Sequence, residues 1–252
     1  MPDGSPTETP VVFLALPHSG SMCPESMVSI GQASGGRFDV SIDAQGSSLL
    51  VRNFNQLWAT ALNLPERPKY FAMHHSDIAA PPGWIDVLID TLEEQKADMV
   101  SAVVAIKSFD GMTSTAVLDL ETKARRRLTV TEVSKLPPVF DGADAGALFG
   151  INPERSVLLV NTGLWVCRFA DQPWIEDVCF ATGDEIRKGE DGKFQAHVMP
   201  EDWLWSLTLS GRGLKVLATS AVPVVHFGRT PFAMGGERKP WGGAEKDAWV
   251  PT

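Results

Sequence analysis

The chain has 252 residues, enough for one large α/β domain with an ample core. Its hydrophobic share of 44%, charged share of 21% and formal net charge of −9 describe an acidic globular protein and exclude the basic footprint of a general nucleic-acid binder. Three cysteines, Cys23, Cys167 and Cys179, are widely spaced with no C-x-x-C, which argues against a disulfide framework and a cysteine zinc site.

Residues 1–10 are polar and lack a basic n-region, so they read as a disordered N-terminus rather than a signal peptide. Val11 to Leu16 is a continuous apolar run ended by Pro17, the pattern of a buried parallel strand. Residues 24 to 34 suit a helix with Met27, Ile30 and Ala33 on one side, and Asp39 to Ile42 a short strand. Ser47 and Ser48 stand as capping serines before Phe54, Leu57, Trp58, Ala61 and Leu62, whose spacing defines an amphipathic helix closed by Pro65 and Pro68. Lys69 to His74 is the next strand. Trp84, Ile85, Leu88, Ile89 and Leu92 mark a helix ending near Lys96, and Met99 to Ile106 is a further buried strand. This alternation predicts βαβ units.

Residues 107 to 157 carry many Gly, Pro and Asp and predict loops with a small antiparallel flap. Leu158 to Arg168 resumes strand character around Asn161-Thr162-Gly163, and a helix is expected from Pro173. Another spans Glu201 to Leu209 with a stripe of Trp203, Leu204, Leu207 and Thr208, followed by strands Gly213 to Thr219 and Val222 to His226. The predicted class is α/β: a single Rossmann-like domain over 11–228 with a mostly parallel central sheet and a small antiparallel flap. Residues 229–252 form a C-terminal tail or lid containing Phe232, Trp241 and Trp249. No apolar run approaches the ~20 residues of a bilayer span, so no transmembrane segment and a cytoplasmic location are expected.

In open parallel sheets, ligands sit beyond the carboxyl ends of the strands. Asp77 follows one apolar run and His226 closes another, so both fit a single Mg²⁺ or Mn²⁺ site, with His75 as a third ligand or hydrogen-bond donor. Taken singly, Asp77 is better read as a helix cap or turn residue, and His226 as a hydrogen-bonded core histidine. His74 alternates to the other face and reads as packing. Glu201 and Asp202 are either first-turn acids complementing a helix dipole or a proton-accepting pair. Arg52 at a helix start suits a phosphate, or is a solvated cation with Asn53 as N-cap. Pro17 and His18 end the first strand, where a nucleotide often lies. No G-x-G-x-x-G, G-x-x-x-x-G-K-[ST] or G-x-S-x-G occurs.

In order along the chain, Leu14-Ala15-Leu16-Pro17, Leu49-Leu50-Val51-Arg52-Asn53, His75-Ser76-Asp77, Met199-Pro200-Glu201-Asp202-Trp203 and Val225-His226-Phe227-Gly228 resemble motifs of the GT-A fold glycosyltransferases, especially family-2-like nucleotide-diphospho-sugar transferases. The resemblance covers roughly residues 11 to 228. It implies a GT-A domain in which His75-Ser76-Asp77 replaces a D-x-D metal motif, departing from it at His75. It also implies Asp202 as catalytic base with Glu201 second, His226 as C-terminal metal ligand, and donor or acceptor contacts from Asn161, Thr162 and Gly163. The implied substrates are a UDP- or GDP-sugar donor and an acceptor hydroxyl of unknown identity, with Mn²⁺ or Mg²⁺ as cofactor. Two alternatives stand beside this reading: a sugar-phosphate nucleotidyltransferase, weakened because Pro17-His18-Ser19-Gly20-Ser21 has no Arg or Lys, and a non-catalytic sugar-nucleotide-binding module.

Overall fold

A computed structural model describes residues 11–189 and 191–228, together with the backbone of three short strands beyond them. Segment 1–10 and the side chains of Phe232, Trp241 and Trp249, expected above as a disordered start and a lid, lie outside the described residues.

The first half runs β1 (Val11–His18), α1 (Pro24–Gly31), β2 (Asp39–Gly46), α2 (Leu50–Leu62), β3 (Tyr70–His74), β4 (Ile78–Ala79), α3 (Trp84–Glu94) and β5 (Met99–Ala102). Next come β6 (Met112–Asp119), β7 (Arg125–Thr129), α4 (Val130–Val133), β8 (Val139–Phe140), α5 (Gly142–Ala147), β9 (Ser156–Leu159) and β10 (Leu164–Arg168). The remainder is β11 (Gly183–Lys188), β12 (Phe194–Met199), α6 (Glu201–Gly211), β13 (Val216–Thr219), β14 (Val225–Phe227), β15 (Pro231–Ala233), β16 (Arg238–Pro240) and β17 (Asp247–Trp249).

The central sheet has seven strands in the order β2-β1-β3-β10-β5-β13-β8. Pairings β1–β2, β1–β3 and β5–β13 are parallel, whereas β3–β10, β10–β5 and β13–β8 are antiparallel. Separate antiparallel sheets join β7-β6-β9, β15-β14-β4, β11-β12 and β16-β17. The expectation of a single Rossmann-like GT-A domain with a mostly parallel sheet is therefore corrected: the protein is α/β with a mixed sheet, and its antiparallel part is far more than a small flap. The reason is physical. A strand buried on both faces is apolar throughout whichever way it runs, and Leu164 to Cys167 are all buried. β10 runs against both β3 and β5, a direction that composition does not reveal.

Alternation of side chains divides the core between two faces. Phe13, Ala15, Phe71 and Met73 meet Phe54, Leu57, Trp58 and Ala61 of α2 on one face. Val12, Leu14, Tyr70 and Ala72 meet Trp84, Leu88 and Ile89 of α3 on the other. Trp58 is the hub of the first face, with ring centroids 4.7 Å from Phe71, 4.9 Å from Phe169 and 5.5 Å from Trp205 of α6. Its indole N–H donates to the Ile175 carbonyl at 2.9 Å. One aromatic cluster thus fixes both α2 and α6, the two helices whose first turns were read as functional.

Three local expectations change. Helix α1 buries Ser26 and Ser29 while Met27 is exposed, because the serine hydroxyls bond the chain around β4: Ser26 donates to the Ile78 carbonyl and Ser29 accepts from the Ala80 N–H at 3.0 Å. Helix α2 starts without a side-chain cap, and Ser47 Oγ accepts instead from the Leu49 N–H at 3.0 Å. The helix expected from Pro173 is one 3₁₀ turn, Pro173–Glu176, before the β11–β12 hairpin. Replacing Trp58 by alanine is expected to cost about 3–5 kcal/mol, since the surrounding rings cannot close the void, and urea denaturation measures it.

Candidate functional site

Strands β1, β2, β3, β5 and β13 end at one edge of the central sheet, and the reversed β10 begins there. Strand β1 has parallel neighbours on both sides, so this edge includes the topological switch point where α/β sheets take ligands. Beyond the edge, β14 pairs antiparallel with β4, with Val225 opposite Ala79 and His226 opposite Ile78. The Phe227 N–H donates to the Asp77 carbonyl at 2.7 Å. This pairing sets the His226 Nε2 atom 3.5 Å from Asp77 Oδ2.

The opposite ring nitrogen, His226 Nδ1, donates to the Ala105 carbonyl at 2.9 Å, because a carbonyl can only accept. That bond fixes the ring so that Nε2 is the atom presented to Asp77. Lys107 completes the cluster, its ammonium forming an ion pair with the same Oδ2 atom. Burial pushes the Asp77 carboxyl up. The hydrogen bonds from His226 and Lys107, with their charge, outweigh it and hold the group well below the usual carboxylate range. Sequence reasoning missed Lys107. The signal was present, since Lys107 closes the Met99 to Ile106 run as Asp77 and His226 close theirs.

His75 lies beside this pair but turns inward. Its N–H donates to the Gly163 carbonyl at 2.8 Å and its ring rests 5.2 Å from the Phe54 ring. Its Nε2 atom is buried with no hydrogen-bond partner, and burial lowers its pKa to about 4 despite the nearby Asp77 charge. His74 occupies the other face against Trp84, with Nδ1 donating to the His75 carbonyl and Nε2 accepting from Ser29. Burial lowers its pKa to about 4 as well. Among the described residues no group of three or more His, Cys, Asp or Glu side chains forms a metal cluster.

Asp77 and His226 by themselves suit a hard divalent cation: one carboxylate oxygen, the His226 Nε2 lone pair once that nitrogen carries no proton, and an outer carbonyl held by Nδ1–H. Water and phosphate oxygens would supply the remaining positions. Ser76 holds the loop through its carbonyl, which accepts from the Cys23 N–H at 3.0 Å.

Asn161, Thr162 and Gly163 form a buried turn. Asn161 Nδ2 donates to the Ala102 carbonyl at 2.6 Å and its Oδ1 accepts from the Gly163 N–H at 2.8 Å. Asn161 therefore works as a strut. A Cβ at Gly163 would lie 2.5 Å from Ile78 Cδ1, so any larger residue there requires the Ile78 side chain to shift. Pro17 is buried within β1, and the carbonyl of His18 accepts from Asn53 Nδ2 at 3.1 Å. Asn53 is fully buried inside α2 and is not its N-cap, while its Oδ1 has no hydrogen-bond partner. Arg52 is exposed in the first turn of α2, with no ion pair among the described residues.

Glu201 and Asp202 occupy the first turn of α6. Ser206 ties that turn to the sheet, donating to the Asp202 carbonyl at 2.8 Å and accepting from the Val160 N–H at 2.9 Å, one residue before the Asn161 turn. Trp203 donates from its indole to the Ser114 carbonyl at 3.1 Å, and the Ser114 N–H reaches the Val104 carbonyl at 2.9 Å. Residue 104 adjoins Ala105, the anchor of His226. Burial, then the neighbouring Glu201 charge, raises the Asp202 carboxyl to about 7, against the Trp203 N–H and Arg127. A separate concavity of about 780 Å³, lined in part by Leu62, Arg67, Gln172 and Glu176, opens at the opposite sheet edge. Arg67 and Glu176 form an ion pair in its lining, and it shares no residue with the Asp77 cluster.

No family model and no curated protein matches the chain. The fold is similar to that of A197 from STIV, with a TM-score of 0.51 and 10% sequence identity over 90% of this chain and 95% of that one. At that identity the likeness is one of fold alone. Among the described residues no helix is long and apolar enough to cross a membrane. Histidine NMR titration is expected to show His74 and His75 neutral down to about pH 4, burial opposing their protonation.

Proposed function

We propose that the chain is a glycosyltransferase of the nucleotide-diphospho-sugar class, moving a sugar from a UDP- or GDP-sugar to an acceptor hydroxyl, with a cytoplasmic site of action. The observation that carries the reading is the Asp77–His226 pair at 3.5 Å beyond the carboxyl edge, with the far nitrogen of His226 tied to Ala105. Asp77 and His226 would hold Mn²⁺ or Mg²⁺, which when bound neutralises charge on a diphosphate leaving group. Lys107 adds a cation at the same place. His75, kept neutral by burial, packs its ring against Phe54 beside Asp77, and its unpartnered Nε2 leaves it available as the third ligand.

Asp202 is the base in this reading. An acceptor hydroxyl gives its proton to the carboxylate as its oxygen bonds the anomeric carbon and the sugar–phosphate bond breaks. A carboxyl at about 7 retains proton affinity that an ordinary aspartate lacks, which favours an enzyme over a passive binding module. Arg52 and His18 flank the switch point on the donor side. Asn53 and Asn161 brace the loops around it.

The test is release of UDP or GDP from a panel of sugar nucleotides with Mn²⁺ and candidate acceptors. Turnover should vanish in Asp77→Ala. Pyrophosphate formation from a nucleoside triphosphate and a sugar phosphate would instead establish the nucleotidyltransferase, and donor binding without turnover the binding module. Because the base must be unprotonated, the rate at saturating donor is expected to rise with pH through about 7. Asp202→Asn should lower it by about 10²-fold or more and abolish that pH dependence.

A further inference from the structure

We infer that Lys107 is an exchanging ligand of the donor diphosphate: it neutralises Asp77 while the site is free of ligand and transfers to phosphate oxygens when a divalent cation takes Asp77. The inference rests on the proposed function and deepens it, because it names a binding residue that the sequence motifs do not contain.

The argument begins with one atom. Asp77 Oδ2 is both the partner of the Lys107 ammonium and the oxygen nearest His226 Nε2, at 3.5 Å. A divalent cation held between Asp77 and His226 must use that region, and Lys107 fills part of it. An ammonium and a divalent cation cannot share one carboxylate oxygen without strong repulsion at contact distance. One of them leaves, and the ammonium is the mobile one.

Lys107 can leave because its side chain is partly exposed and ends a flexible four-carbon stem. Its backbone is held, since the neighbouring Ile106 N–H donates to the Met112 carbonyl at 3.0 Å. The ammonium therefore sweeps a small volume around Asp77. His226 is fixed by Ala105 and cannot follow it.

A destination is required by charge. A nucleoside diphosphate departs with more negative charge than one divalent cation neutralises, and the protein as a whole carries −9. Among the described residues Lys107 is the sole Lys or Arg in an ion pair with Asp77. An ammonium released there meets phosphate oxygens bound to the same cation, and charge-assisted hydrogen bonds form in place of the one lost.

The exchange gives Lys107 opposite effects on two ligands, which a merely structural residue would not have. Calorimetric titration of Mn²⁺ alone into wild type and Lys107→Met is expected to show Mn²⁺ binding the variant several-fold more tightly, since no ammonium competes for Asp77. Titration of UDP or GDP at saturating Mn²⁺ is expected to show the variant binding about 10-fold or more weakly, with Lys107→Arg recovering most of the loss. Unchanged affinity for both ligands in Lys107→Met overturns the proposal. If Mn²⁺ binding is lost in Asp77→Ala yet unaltered in Lys107→Met, the exchange is wrong and the metal centre stands. If Asp77→Ala binds Mn²⁺ as wild type does, both readings fall.

Discussion

Two residue pairs join β4 to β14, and the whole candidate site hangs on them. Without that short ladder Asp77 and His226 belong to separate loops, each costing entropy to hold in place. The ladder is clamped from several directions. The buried serines of α1 bond the chain at Ile78 and Ala80, the Phe227 N–H closes on the Asp77 carbonyl, and Gly163 leaves room for the Ile78 side chain. This explains a helix whose buried face is polar. Ser26 and Ser29 serve the backbone of a strand that has no neighbour on that side, and an apolar pair would leave those groups unsatisfied.

The same folding places two aspartates in opposed environments. Asp77 is drawn toward its ionised form by a lysine and a histidine, while Asp202 is drawn toward its protonated form by burial and by Glu201. Carboxylates pushed apart in this way divide into an anionic anchor and a proton acceptor. The two neighbouring histidines stay neutral because burial disfavours their charge, so the Lys107 ammonium is the cation paired with Asp77. The helix start bearing Asp202 and the carbonyl holding His226 are tied to one stretch of backbone, through Trp203 to Ser114 and from there to Val104, which precedes Ala105.

Much of this was legible in the sequence, for an identifiable reason. Continuous apolar runs located β1, β3, β5 and β13, and amphipathic spacing located α2 and α3, because burial imposes those periods directly. Polar residues closing the runs pointed to Asp77 and His226. Strand direction was not legible: β10 is as apolar as β3 and β5, and burial on both faces leaves the same apolar pattern whichever way a strand runs. The inward turn of His75 was equally hidden, since it depends on Phe54 arriving from a helix elsewhere in the chain. Lys107 was hidden because an ammonium is not a metal ligand, and its pairing with Asp77 depends on the fold bringing residues 77 and 107 together.

Net charge sets the scale on which any anion must be recognised. At physiological ionic strength the field of an exposed charge is screened within about 8 Å, so the overall −9 repels a diphosphate only weakly at long range and gives it no attraction. Recognition then falls to cations within contact distance, in a partly buried place where screening is weak. The carboxyl edge meets that condition. Lys107 and His226 converge on one carboxylate oxygen there, and the arginine at the start of α2 stands beyond the neighbouring strands with no ion pair among the described residues. In the proposed function the diphosphate is the anion that the Lys107 ammonium meets at this edge.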